Sequence, residues 1–170
     1  MAILDAIMNR RSIREFTGQP VSHDLLRQIV SAGMWAPSGL NNQPWRFVLI
    51  SEQSVKEELA GLTHYSHIVL QAPALIAVYL DTREMYDTVK DHQSAGACIQ
   101  NMLLMAEELD LGAVWLGQIL KNKQTVNVVL AIDEVFDLMA VLAVGYPLHR
   151  KQQSRRKELA EFIIKEIGGS

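Results

Sequence analysis

Residues 74–80 read Ala-Leu-Ile-Ala-Val-Tyr-Leu, seven apolar positions without a charge or a break. A half-exposed strand alternates apolar and polar residues, so an unbroken run this short predicts a strand covered on both faces. The stretch from Asp137 to Gly145 predicts a second strand of the same kind. Two shorter strands are expected at 45–50, Trp-Arg-Phe-Val-Leu-Ile, and at 113–116. Helical spacing surrounds them. Ile3, Leu4, Ile7 and Met8 mark a helix over 2–9, and Leu25, Leu26, Ile29, Val30 and Met34 mark another, with Ser22 as its N-cap and Pro37 as its stop. Further helices are expected from Ser54 through Leu62, over 65–71, 88–109 and 123–131, and over 157–167 after an irregular basic tail. In the longest of these, Ala95, Gly96 and Ala97 make a slender surface that another backbone can approach, and Gly112 is expected to mark its end.

With 170 residues, 49% hydrophobic and 21% charged, the chain fits one globular domain spanning 1–170. A net charge of -3 argues against general nucleic-acid binding, which needs a basic field. The single cysteine, Cys98, allows no internal disulfide and fits a reducing compartment. Asp5 and Asn9 interrupt any signal-peptide pattern, and the longest apolar run, Leu138 to Val144, is too short to span a bilayer. The expectation is a soluble, cytoplasmic protein with no membrane contact.

Positive charge is concentrated rather than spread. Arg10-Arg11-Ser12-Ile13-Arg14 places three guanidinium groups and a hydroxyl within five residues. Guanidinium forks bind a phosphate through bidentate, charge-assisted bonds, and a serine hydroxyl can fill a remaining lone pair. Arg10 and Arg14 are four apart and would share a helical face. The same residues also fit a solvated basic helix end. Between Met34 and Trp45 lies Pro37-Ser38-Gly39-Leu40-Asn41-Asn42-Gln43-Pro44, a rigid loop rich in amides and hydroxyls. Gly39 permits close approach or positive φ, and Ser38, Asn41 and Gln43 suit the rim of a polar ring system. An ordinary helix-to-strand loop with Trp35 and Trp45 in the core is the plainer alternative. Arg155 and Arg156 form a second basic site, or a solvated tail. Leu116-Gly117 ends a strand where backbone groups can face a ligand, or simply turn.

Other chemistries lack their motifs. Neither a Gly-x-Gly-x-x-Gly fingerprint nor a Walker loop is present. His64 and His67 have no carboxylate or cysteine at ligand spacing, so no metal site is expected. Cys98 lies among small apolar residues and reads as a packed thiol. No residue is singled out as a catalytic acid, base or nucleophile.

Taken in order, Arg10-Arg-Ser-Ile-Arg14, Ala36-Pro-Ser-Gly-Leu-Asn-Asn-Gln-Pro-Trp45, Asn101-Met-Leu-Leu-Met-Ala106, Leu111-Gly-Ala-Val-Trp-Leu-Gly117, Gly145-Tyr-Pro147 and Arg155-Arg156 resemble the nitroreductase family over nearly the whole chain. The resemblance implies an α+β fold: a three-layer α/β/α sandwich around a central mixed, largely antiparallel sheet, in an intertwined homodimer with two FMN sites at its interface. It implies that Arg10, Ser12 and Arg14, with Arg11 beside them, hold the phosphate and part of the flavin rim. Pro37, Ser38, Gly39 and Asn41 would come from the partner, Leu116 and Gly117 would lie near the reactive edge of the flavin, and Arg155 with Arg156 would close on the phosphate. Where the family often carries an Asn and a Lys, this chain has His64-Tyr-Ser-His-Ile68.

The implied activity is FMN-dependent oxidation of NADH or NADPH with electron transfer to nitroaromatics, quinones or similar small acceptors, by a ping-pong route. The rival is a non-enzymatic dimer that binds FMN for storage or sensing.

Overall fold

The structure is a computed structural model and describes residues 3–168. Its core is a four-stranded sheet of β1 (Trp45–Ile50), β2 (Ala74–Asp81), β3 (Gly112–Leu116) and β4 (Phe136–Gly145), in the order β1-β2-β4-β3. Every named pair is antiparallel, and the parallel component is an isolated bridge from Ser12 to Ala113 of β3. The two continuous apolar runs therefore become the two central strands. A register shift at Val78/Tyr79 interrupts their pairing.

Among the described residues six α-helices surround the sheet: α1 (Ile3–Asn9), which contacts α5, α2 (His23–Met34), α3 (Gln53–Ala60), α4 (Ser66–Gln71), α5 (Thr88–Glu108) and α6 (Lys123–Leu130). Side chains alternate across a strand, and β2 sorts accordingly. Ile76, Val78 and Leu80 pack with Leu26, Ile29, Cys98, Ile99 and Met102 of α2 and α5. Leu75, Ala77 and Tyr79 pack with Leu59, Ile68 and Val126 of α3, α4 and α6. The result is the expected three-layer α+β sandwich.

Local chemistry explains most boundaries. Ser22 caps α2, its hydroxyl accepting from the Leu25 N–H at 3.3 Å. Gly33 lets α2 cross α5 closely, because a Cβ there would stand 2.7 Å from Met102 Cγ and 2.9 Å from Cys98 Sγ. The close approach to α5 thus falls opposite Cys98. A Cβ at Gly96, in the slender stretch, would meet nothing within 4 Å.

Four expectations are corrected. Helix α3 starts at Gln53 with Glu52 in the cap position, and the Ser54 hydroxyl donates to Glu52 rather than capping. The reversal after α5 is made by Asp110 at φ 58, so Gly112 is already strand. Its missing Cβ leaves room for Ile13, whose Cγ1 would stand 2.6 Å away. Arg10–Arg14 is not helical: α1 stops at Asn9, and burial of Ile13 beside β3 draws the segment into the Ser12–Ala113 bridge, with the Ile13 N–H donating to Ala113 O at 3.1 Å. Finally, residues 157–167 form a 3-10 turn at Leu159–Glu161 rather than a helix. Leu159, Phe162, Ile163, Ile164 and Ile167 are exposed, and a short helix with nothing to pack against does not repay its nucleation.

Among the described residues, no helix is long and apolar enough to cross a membrane.

Candidate functional site

The arginine segment runs alongside the outer edge of β3. Arg10 is half-buried, and among the described residues its guanidinium has no acceptor. Its pKa is held below the ordinary value, first by burial, then by the charges of Arg11 and Arg156, with Glu107 opposing. Arg10 and Arg156 are 146 residues apart in sequence, yet the fold brings them into electrostatic reach.

The five residues divide in role. Arg11 turns back on α1, donating to the carbonyls of Met8 at 2.7 Å and Arg10 at 2.9 Å. Arg14 donates to Ser12 O, two residues back, at 3.3 Å and is otherwise exposed. Ser12 is anchored by its backbone beside Ala113. Arg156 contacts the Ser154 hydroxyl and Arg155 O, and both Arg155 and Arg156 are exposed.

The loop after α2 is strained and well braced. Leu40, Asn41 and Gln43 all have positive φ, at 54°, 56° and 48°. Three non-glycine residues in the left-handed region within four positions carry a conformational cost that the surroundings must offset. Ser38 Oγ accepts from the Gln43 N–H at 3.1 Å, and the Gln43 side chain donates to Asn41 O at 3.1 Å. Gly39 has no side chain because Tyr86 lies where a Cβ would be. Pro37 and Asn41 are exposed. Trp45 is core, its indole N–H donating to the Ser94 hydroxyl at 3.1 Å. Trp35 is not core: it is 86% exposed, beside exposed Met34.

The two halves stand far apart within one chain. The loop is tied to Asp91 near the start of α5, and Arg10 senses Glu107 near its end. At about 1.5 Å rise per residue, that helical separation is about 24 Å. Leu116 and Gly117 end β3, the edge strand whose Ala113 bridges Ser12. There Gln118 Oε1 accepts from the Thr63 hydroxyl at 2.7 Å and the His64 N–H at 2.9 Å, fixing the His64 turn against the strand end. A cavity of about 360 Å³ opens beside Trp115, with Gly96, Lys123 and Asp137 in its walls. A larger one of about 510 Å³ lies between α2 and β1, lined by Val30, Met34, Phe47 and Leu49, at the opposite edge of the sheet from Arg10.

Asp91, Gln118 and Glu107, which hold the neighbouring segments, carried no sequence signal, and Arg150 was visible only as one more basic residue. Asn42 stood among the noted amides. Asp91 read as an ordinary acid in a first helical turn, although it is fully buried. Burial raises its pKa, but the Asn42 amide and the N–H groups of Asp87 and Tyr86 outweigh that and lower it overall.

The chain matches the model of the nitroreductase family over residues 7–65 and 60–146. A protein of Methanothermobacter thermautotrophicus, whose name pairs NADH dehydrogenase with NAD(P)H nitroreductase, is 31% identical over 149 residues, covering 86% of this chain and 78% of its own. An NADH dehydrogenase of Thermus thermophilus is 27% identical, covering 96% and 97%. A Desulfovibrio desulfuricans protein crystallised in complex with FMN is 47% identical, superposes with a TM-score of 0.93 and covers 99% of both chains. Sequence motifs, sheet architecture and these matches lead to one assignment: the chain belongs to the nitroreductase family.

Proposed function

We propose that this chain is an FMN-dependent oxidoreductase that oxidises NADH or NADPH and reduces nitroaromatics, quinones or similar small acceptors, acting as a homodimer with two FMN sites. The observation that carries the proposal is the half-buried Arg10 guanidinium, which has no acceptor among the described residues and lies within electrostatic range of Arg11 and Arg156. Such a cluster is complementary to a dianionic phosphate. The likeness to an FMN-bound protein at 47% identity supports the choice of ligand.

The residues present fit that group. Arg10, Arg14, Arg155 and Arg156 would hold the phosphate, with Arg11 fixing the segment from behind and the Ser12 hydroxyl supplying a further bond. Backbone groups of Leu116 and Gly117 would border the ring. Pro37, Ser38, Gly39 and Asn41 are too far away in the same chain, so a second copy would supply them. When bound, FMN would accept hydride from the nicotinamide and pass electrons to the acceptor. The protein's part is alignment and exclusion of water, and no side chain is required as an essential acid or base. His64 and His67 are the side chains to test against that statement.

The experiment is stopped-flow mixing of FMN-loaded protein with NADH or NADPH, followed by an acceptor panel under steady-state conditions. Flavin bleaching by a nicotinamide and parallel double-reciprocal lines are expected. Bound FMN that neither nicotinamide reduces would overturn the proposal in favour of storage or sensing. A loss of about a thousandfold in reduction rate in flavin-loaded His64→Ala or His67→Ala, about 4 kcal/mol of barrier, would overturn the absence of an acid or base.

A further inference from the structure

Glu107 and Arg150 form the best-defined ion pair near the arginine cluster. Both Arg150 NH1 contacts to the Glu107 carboxylate are 2.9 Å, and NH2 donates to Leu111 O at 3.3 Å. The Glu107 side chain is 11% exposed, so the pair is partly desolvated. Arg150 lies in the tail that follows β4. The same tail is tied down by the Leu148 N–H to Glu15 O at 3.0 Å and by His149 against the Glu15 carboxylate at 2.8 Å. Six residues beyond Arg150, Arg156 comes into range of Arg10. Glu107 is itself close enough to Arg10 to oppose the shift imposed by the other arginines.

We propose that the Glu107–Arg150 pair is a latch that positions the basic tail, so that Arg156 completes the phosphate clamp begun by Arg10, making both latch residues determinants of selectivity for a phosphorylated flavin over an unphosphorylated one. The proposal rests on the FMN reading above. Neither latch residue touches the ligand: Arg150 is engaged with Glu107 and Leu111 O, and Glu107 carries the wrong charge. A cavity of about 400 Å³ borders the latch, with the buried Arg11 Nε and Gln152 Oε1 facing no partner among the described residues. The packing there is loose enough that the pair, rather than tight apolar contact, holds the tail at this point.

Charge and position make opposite forecasts for one variant. If Arg150 acts only by neutralising Glu107, then Arg150→Gln weakens FMN binding and Glu107→Gln/Arg150→Gln restores it. If the pair acts as a latch, the double variant stays weak, because the tail beyond His149 is released from α5 in both. The test is titration of FMN and of riboflavin, followed by quenching of flavin fluorescence, with the full-length wild type, Arg150→Gln, the double variant and Arg150→Lys. The wild type should prefer FMN. Both Arg150→Gln and the double variant should lose about tenfold in FMN affinity, which corresponds to about 1.4 kcal/mol, with riboflavin affinity unchanged. Arg150→Lys, which keeps the charge but cannot hold the Glu107 carboxylate and Leu111 O from two nitrogens of one planar group, should fall between. Recovery of FMN affinity in the double variant, or an equal loss for both flavins, would overturn the latch. Wild-type protein that binds neither flavin would instead overturn the FMN reading itself.

Discussion

The side-chain amide of Asn42 donates to Asp91 Oδ1 at 2.8 Å, joining residues 49 positions apart. The same amide donates to Glu84 O at 2.9 Å, while Asp91 Oδ2 accepts the N–H groups of Tyr86 and Asp87. A loop with three left-handed non-glycine residues is thereby fixed to the first turn of the longest helix. Asn42→Ala should remove a bond to a buried carboxylate and cost about 1–3 kcal/mol in urea unfolding, with a larger loss in FMN affinity than Asn41→Ala. Unchanged stability would mean that the brace is dispensable.

Gly112→Ala should disturb the site from beneath. The added Cβ would stand 2.6–2.7 Å from three atoms of buried Ile13, which separates Ser12 from Arg14. Overpacking of this kind costs about 1–3 kcal/mol. Because the displaced segment carries the arginines, FMN affinity should fall while the folded state persists. Denaturation and flavin titration on one preparation check both statements.

Acid should expose Asp81. This buried carboxylate accepts a two-pronged pair of bonds from Arg83, at 2.8 and 2.9 Å, and a third from Arg46 at 3.3 Å. Its pKa is lowered to about 2, chiefly by the Arg83 hydrogen bond, with burial opposing and the charges of Arg83 and Arg46 assisting. A folded pKa below the ordinary 3.8 stabilises the protein above that value and ceases to do so as pH falls toward about 2. Asp91 acts in the same sense. Unfolding free energy should therefore decline from about pH 4 to about pH 2, and Asp81→Asn should flatten part of that slope. An Asp81→Asn profile parallel to wild type would contradict this.

Cys98 should be unreactive while the protein is folded. Burial pushes its pKa up to about 12, and it faces the α2 crossing at Gly33. A thiolate-dependent reagent should find the chain's single thiol only in denaturant. Rapid labelling under native conditions would show that α2 separates from α5.

Which features were legible in the sequence follows from the physics. The central strands were readable because residues buried on both faces leave no polar position in the run. The Ser22 cap was readable because the side chain does the work itself. Ile13 was not: spacing put Arg10 and Arg14 on one helical face, but a long-range bridge to Ala113 overrode it. Apolar residues at 159–167 kept helical spacing, yet most helical stability comes from packing that one chain does not provide there. Positive φ at Leu40 carried no signal, since leucine gives none. The arginines at 10–14 and 155–156 were visible as charge, whereas the pairing of Glu107 with Arg150 emerged only once the fold placed the tail beside α5.

In the proposed dimer, one FMN site takes Arg10 from one chain and the Ser38–Asn41 loop from another. The most direct measurement is flavin content after refolding an equal mixture of Arg10→Glu and Gly39→Trp chains. Each variant alone should be colourless. In a two-fold dimer, half of the random pairs are mixed, and each mixed pair has one site with both halves intact, so the mixture should bind about a quarter of the wild-type FMN. A mixture that stays colourless, or a Gly39→Trp protein that keeps its full flavin, would contradict the account.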